Sequence, residues 1–185
     1  MRFAVTPTDL PGVSIVDRLP IGDARGYLER LYCREDLSHL VGPRQVVQIN
    51  RTLTGMRGTI RGLHFQHPPA AETKVVQCLR GSVFDVAVDL RASSPTFLRW
   101  IGVELSAGNH RSLLIPEGVA HGFQTLTEDC EMLYFHTAPY TPSAEGGVDA
   151  LDPTLAIPWP LDLSERSARD GQWDPITPDF IGLTV

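Results

Sequence analysis

The chain has 185 residues, 42% hydrophobic and 21% charged, with a formal net charge of −6. This is the composition of one ordinary domain, expected to span residues 1–185, with an apolar core; it excludes a disordered chain. The negative balance is the wrong sign for a protein whose main partner is nucleic acid, but it allows a local basic pocket for a phosphorylated ligand. No apolar run reaches membrane-spanning length, and the N-terminus lacks a basic stretch followed by an apolar one, so neither a membrane span nor an export signal is expected. Cys33, Cys78 and Cys130 are odd in number and scattered. They read as small hydrophobes in a reducing compartment, which makes the cytoplasm the expected location.

In chain order, Arg34 to Leu40 reads as one short helix. Strands are expected at Gln45 to Asn50, Thr59 to Gln66, Lys74 to Leu79 and Val83 to Arg91. Further strands are expected at Trp100 to Leu105, Arg111 to Ile115, His121 to Thr125 and Glu131 to His136. The period is clearest in the fourth: Phe84, Val86, Val88 and Leu90 share one face, and Asp85, Asp89 and Arg91 the other. Turn material separates the strands, as in Gly55-Met56-Arg57-Gly58, His67-Pro68-Pro69 and Pro116-Glu117-Gly118. After about residue 140 the chain is rich in Pro, Asp and Ser, which predicts loops and short helical turns. Many short strands with almost no helix and no internal repeat predict an all-β sandwich or barrel, best matched by a jelly roll, whose interior holds one small ligand.

Reactive side chains are densest in Arg61-Gly62-Leu63-His64-Phe65-Gln66, followed by Lys74. Strict alternation would put Arg61 and His64 on opposite faces, but a bulge at Gly62 could bring both to one cavity. A His-x-His metal pattern would need histidine where Gln66 stands, and Lys74 is a poor neighbour for a divalent ion, so no metal is expected. There is no Gly-x-Ser-x-Gly elbow, no cysteine beside a histidine and no glycine-rich phosphate loop. Arg25 and Arg61 are therefore the residues available to hold phosphates. What remains is acid–base chemistry: a histidine, an acid partner and a cation to stabilise an oxyanion. Taken as bare strand residues, Tyr134 is core or cavity lining, His136 shares its strand face and could enter the pocket but reads first as exposed or structural, and Asp85 is a buried support. Asp170 lies in a tail-like segment that reads as solvated.

Several segments, in order and at matching spacing, resemble the dTDP-4-dehydrorhamnose 3,5-epimerases and their 3-epimerase relatives. They are Gly22-Asp23-Ala24-Arg25-Gly26, Gln48-Ile49-Asn50, Arg61 to Gln66, Gly81 to Phe97 and Ile115 to Phe123. Leu133-Tyr134, Ser143-Ala144-Glu145-Gly146 and Ile157-Pro158-Trp159-Pro160 complete the set. The resemblance implies a cupin-type jelly roll that assembles as a homodimer, takes a nucleotide-sugar substrate and uses neither a metal nor an organic cofactor. It also implies roles: His64 as general base oriented by Asp170, Tyr134 as the acid on the opposite face of the sugar, and Lys74 at the enolate oxygen. Arg25, Gln48, Asn50, Arg61, His121, Glu145 and Arg169 match substrate-binding positions. Tyrosine suits the acid role if a nearby cation lowers its pKa. Epimerisation at C3 alone, a 3,4-ketoisomerase on the same fold and a non-catalytic nucleotide-sugar binding module are the competing readings.

Three positions depart from the family pattern. Arg30 stands where relatives carry a carboxylate of the nucleotide pocket, with Glu29 beside it on the other strand face. The usual Gly-Ile-Arg-Trp-(Asn/Asp)-Asp-Pro becomes Gly147-Val148-Asp149-Ala150-Leu151-Asp152-Pro153, and Leu98 replaces a glycine.

Overall fold

The computed structural model describes residues 2–185. In chain order its strands are β1 (Phe3–Pro7), β2 (Ser14–Arg18), β3 (Ile21–Asp23) and β4 (Gly26–Leu28), followed by the single helix α1 (Arg34–Val41). Next come β5 (Gln48–Thr54), β6 (Ile60–Gln66), β7 (Lys74–Arg80), β8 (Ser82–Asp89) and β9 (Trp100–Ser106). The series ends with β10 (Arg111–Ile115), β11 (Val119–Thr125), β12 (Cys130–His136) and β13 (Glu145–Gly147). A six-stranded sheet, β1-β2-β10-β7-β12-β5, faces a five-stranded one, β13-β6-β11-β8-β9, and both are antiparallel throughout. The all-β, double-sheet expectation holds. After residue 140 the chain runs mainly in turns, with one 3-10 turn over Pro142–Ala144.

Each sheet is covered on both faces over its central strands, and this sets the polarity of the molecule. Inward side chains of the two sheets meet in one cluster that includes Val76, Cys78, Leu113, Phe123 and Met132. Helix α1 covers the outer face of the six-stranded sheet, packing Leu37 and Val41 with Val75, Leu114 and Phe135. The C-terminal segment covers the outer face of the five-stranded sheet, setting Val148, Ala150, Leu155 and Trp159 against Ile60, Leu63, Val86 and Val88. Strand β8 therefore differs from the amphipathic strand its alternation suggests. Its apolar face lies under the tail, and its polar face points into the sandwich, where Asp85 and Asp89 are fully buried.

Buried carboxylates require partners. Asp89 accepts hydrogen bonds from Arg91, Ser94 and Thr96; these outweigh the opposing effect of burial and hold its pKa at about 2. The turn it organises ends at Leu98, whose φ of 61° lies in the left-handed region. Glycine adopts that conformation freely, which is why a glycine suits the position; Leu98 instead adds side-chain packing to the cluster under the tail.

Candidate active site

Strand β6 is built around one irregularity. Opposite β11, His64 pairs with His121 and Arg61 with Phe123, so β6 carries one extra residue between the two pairs. The extra length changes the phase of alternation: Ile60, Leu63 and Phe65 face the tail, while Arg61 and His64 both face the interior. Gly62 makes this possible. Its φ is +123°, and a Cβ there would sit 2.5 Å from the Cα of Gly122 and 2.7 Å from the carbonyl oxygen of His121.

Arg61 and His64 open onto a cavity of about 190 Å3 between the sheets. The wall from the five-stranded sheet also carries His121 and Phe123. The opposite wall carries Lys74 from β7, Tyr134 and His136 from β12, and Asn50 and Thr52 from β5. Tyr140, Glu145 and Arg169 also line it, with Arg169 bonding Glu145 at 3.0 Å and Tyr140 Oη donating to the same carboxylate at 3.0 Å. Of the residues singled out in the sequence, His64, Tyr134, Lys74, Asn50, Arg61, His121, Glu145 and Arg169 thus meet in one place. Gln48 and Asp170 stand one contact behind them. Arg25 does not reach the cavity of its own chain: it pairs with Asp23 on the exposed β3–β4 hairpin, beside a separate hollow.

Asp170 is 3% exposed, contrary to the solvated tail its sequence context suggests. Its Oδ1 lies 2.8 Å from His64 Nε2, and its Oδ2 accepts the Gly62 N–H at 3.1 Å. Burial raises its pKa, but these hydrogen bonds more than compensate and hold it at about 2. A carboxylate only accepts, so His64 carries its proton on Nε2 and leaves Nδ1 as the basic nitrogen. Trp173 lies edge-on to the His64 ring, at a centroid distance of 6.3 Å. A second pair stands deeper: His121 Nε2 contacts Asp85 Oδ2 at 2.9 Å, and burial pushes the Asp85 pKa up despite the opposing influence of His121 and Lys74.

The Tyr134 phenol is 3.5 Å from Thr52 Oγ1. Burial raises its pKa, and the Thr52 contact and the Arg61 charge offset this only in part, so desolvation outweighs the nearby cation. The phenol stays protonated at neutral pH. Gln66 also borders the cavity, and its amide donates to the Ala70 and Pro139 carbonyls and accepts the Thr141 N–H. His136, expected to be exposed or structural, lines the cavity, and so does Glu72, which sequence reasoning passed over. The period of two was the available signal, since Glu72 and Lys74, like Tyr134 and His136, are two residues apart on extended chain.

The departures find their partners here. Glu29 is bonded to Arg18 at 2.7 Å and to His110 at 2.8 Å, while Arg30 pairs with Asp36. Asp149, the reversed charge, is paired with Arg166 at 2.7 Å; buried Ala150 accepts the Trp159 indole N–H at 2.8 Å.

A carboxylate-backed histidine, a protonated phenol and a buried ammonium share one cavity of a double-sheet fold, the side-chain types that acid–base chemistry uses. The family model for dTDP-4-dehydrorhamnose 3,5-epimerase matches residues 7–177, and the chain belongs to that family. The dTDP-4-dehydrorhamnose 3,5-epimerase of Salmonella typhimurium is 44% identical over 167 residues, covering 90% of this chain and 91% of that one. The dTDP-4-dehydrorhamnose 3-epimerase of Streptomyces niveus is 36% identical over 89% of this chain and 79% of its own. The crystal structure of the 3,5-epimerase from Bacillus anthracis, with TDP and pyrophosphate bound, superposes with a TM-score of 0.90 at 39% identity, covering 94% and 99% of the two chains. Proteins so named are isomerases.

Proposed function

We propose that this protein inverts C3 and C5 of a dTDP-linked 4-keto-6-deoxyhexose, using its own side chains and neither a metal nor an organic cofactor. One observation carries the reading: a histidine, His64, and a tyrosine, Tyr134, stand on opposite walls of one cavity, as a base and an acid of opposite faces must. The 4-keto group acidifies the hydrogens on both flanking carbons. His64 Nδ1 removes the C–H proton, the electron pair moves to the carbonyl oxygen, and Lys74 stabilises the enolate oxyanion. Tyr134 then delivers a proton to the other face of the carbon, and the configuration inverts. Burial keeps the phenol protonated, so it holds a proton to give, and the Thr52 contact and the Arg61 charge offset in part the cost of giving it up. Arg61, Arg169 and His121 place the sugar nucleotide, in keeping with the TDP and dTDP sugars bound by relatives.

The protein works as a homodimer in this reading. Arg25 sits on an exposed hairpin with Ile21, Tyr27 and Leu28 also exposed, so it reaches a substrate only in a second copy. The cytoplasm suits an enzyme with three free cysteines, two of them buried.

Incubating the protein with dTDP-4-keto-6-deoxyglucose in deuterated water, and reading C3 and C5 by NMR, tests the assignment. Label at both carbons is expected. Label at C3 alone narrows the activity to 3-epimerisation, and no label sinks the proposal. His64→Ala should abolish exchange, whereas Tyr134→Phe should permit exchange and spoil inversion.

A further inference from the structure

Glu72 is a carboxylate buried beside the cavity with two donors on it. Its side chain is 7% exposed; Oε1 lies 3.4 Å from Lys74 Nζ, and Oε2 lies 2.7 Å from His136 Nδ1. The donors are neighbours by register: His136 is directly opposite Lys74 across β12 and β7, and opposite Gln48 across β12 and β5. His136 Nε2 in turn meets Asn50 Nδ2 at 3.4 Å, Gln48 Nε2 donates to Asn50 Oδ1 at 3.3 Å, and the Tyr140 backbone N–H donates to Gln48 Oε1 at 3.0 Å. The direction of this chain is set at both ends. A backbone N–H donates at one, a donor-only ammonium pairs with the carboxylate at the other, and every amide and ring between must orient to match.

We propose that Glu72 is a positioning residue for the proposed enolate-stabilising cation: its carboxylate aims and neutralises Lys74 and, through His136, ties it to Asn50 and Gln48. This deepens the epimerase reading and rests on it. A buried ammonium without a counter-charge swings toward water or gives up its proton, and either response removes the oxyanion partner. Glu72 meets that need from the loop leading into β7. The loop is anchored without it: Thr73 N–H donates to Thr137 Oγ1 at 2.8 Å, Thr137 N–H to the Thr73 carbonyl at 3.1 Å, and Arg44 to the Ala71 carbonyl at 3.0 Å. The carboxylate is thus spare as glue. Its two oxygens serve only the cavity. It also sets the tautomer of His136, because a ring donating from Nδ1 presents Nε2 as the acceptor that Asn50 requires.

Glu72→Gln, which keeps the shape and removes the charge, is the test. The amide has one acceptor for two donors. The ammonium takes it, the NH2 group turns to His136, and the imidazole must move its proton to Nε2. Two readouts follow on the full chain. Nitrogen-15 spectra of histidine-labelled protein, with His136 assigned from a His136→Gln sample, should show Nδ1 protonated in the native protein and Nε2 protonated in the variant. In turnover, kcat should fall about 10- to 100-fold while KM stays within about threefold, since the loss falls on the transition state and not on binding. An unchanged tautomer overturns the proposal; so does a kcat within about threefold of native in a variant that melts like the native protein. If Glu72→Gln does not fold, Glu72→Asp retains the charge and withdraws it from both donors, and the same two measurements decide. The NMR readout needs no substrate. Native protein with the expected tautomer but without exchange activity would sink the epimerase reading separately.

Discussion

Asp170 shows how a side chain distant in sequence becomes part of a dyad. It lies 106 residues from His64, yet its two oxygens are divided between the imidazole and the Gly62 amide. Its pKa of about 2 is below the usual carboxylate range, so its hydrogen bonds favour the folded state fully above about pH 4 and are lost only as pH falls toward 2. Activity lost on mild acidification therefore belongs to another group. Asp170→Asn should leave the fold intact and lower kcat by about 10²–10⁴-fold, because an amide can hold the imidazole in the wrong tautomer. Comparing the circular-dichroism melt with turnover separates the two effects. Residues of this kind are hard to read from a sequence. The histidine, lysine and tyrosine announce themselves by chemistry and spacing, whereas Asp170 and Glu72 sit in Pro- and Ser-rich or turn-like stretches, and their partners come from other elements.

Among the elements, β6 sets the geometry through its bulge. The close approach of Gly62 to Gly122 is backbone on backbone, so no rotamer change relieves an added Cβ. Gly62→Ala should cost at least about 2 kcal/mol, since the residue must hold a positive φ as well as fit the gap. For a chain of this length that is a fall of about 4–8 °C in melting temperature, readable by calorimetry, with Arg61 and His64 displaced and turnover lost. The bulge was legible because a glycine stood where strict alternation separated two functional side chains. Strands β7 to β12 were also legible, being long enough to show their period. Strands β1, β2, β3, β4 and β13 were not: the last three are three residues long, β1 and β2 mix Pro, Asp and Arg with short apolar runs, and the place of all five comes from pairing partners and not from composition. Strand β5 reads three residues early because Val46 and Val47 extend the apolar run, while pairing begins where Gln48 meets His136.

The whole molecule leaves one edge unfinished. Strand β5 closes the six-stranded sheet, and its outward residues Ile49 and Leu53 are 57% and 59% exposed, with Val47 and Met56 exposed nearby. Exposed apolar side chains on an edge strand invite a partner. Light scattering on a sizing column should give about 41 kDa, twice the 20.4 kDa chain. Ile49→Asp with Leu53→Asp should give the single-chain mass and weaken substrate binding, since Arg25 then has no neighbouring site to serve. A native protein eluting at the single-chain mass would end this view. The tail that wraps the five-stranded sheet carries a different implication, one of timing. Every strand precedes Asp170 in the chain, yet the sheet that carries His64 keeps an uncovered apolar face until the tail that carries Asp170 has packed on it. The segment that completes the dyad is also the one that buries that sheet's outer face, so histidine and carboxylate meet only in the fully packed chain.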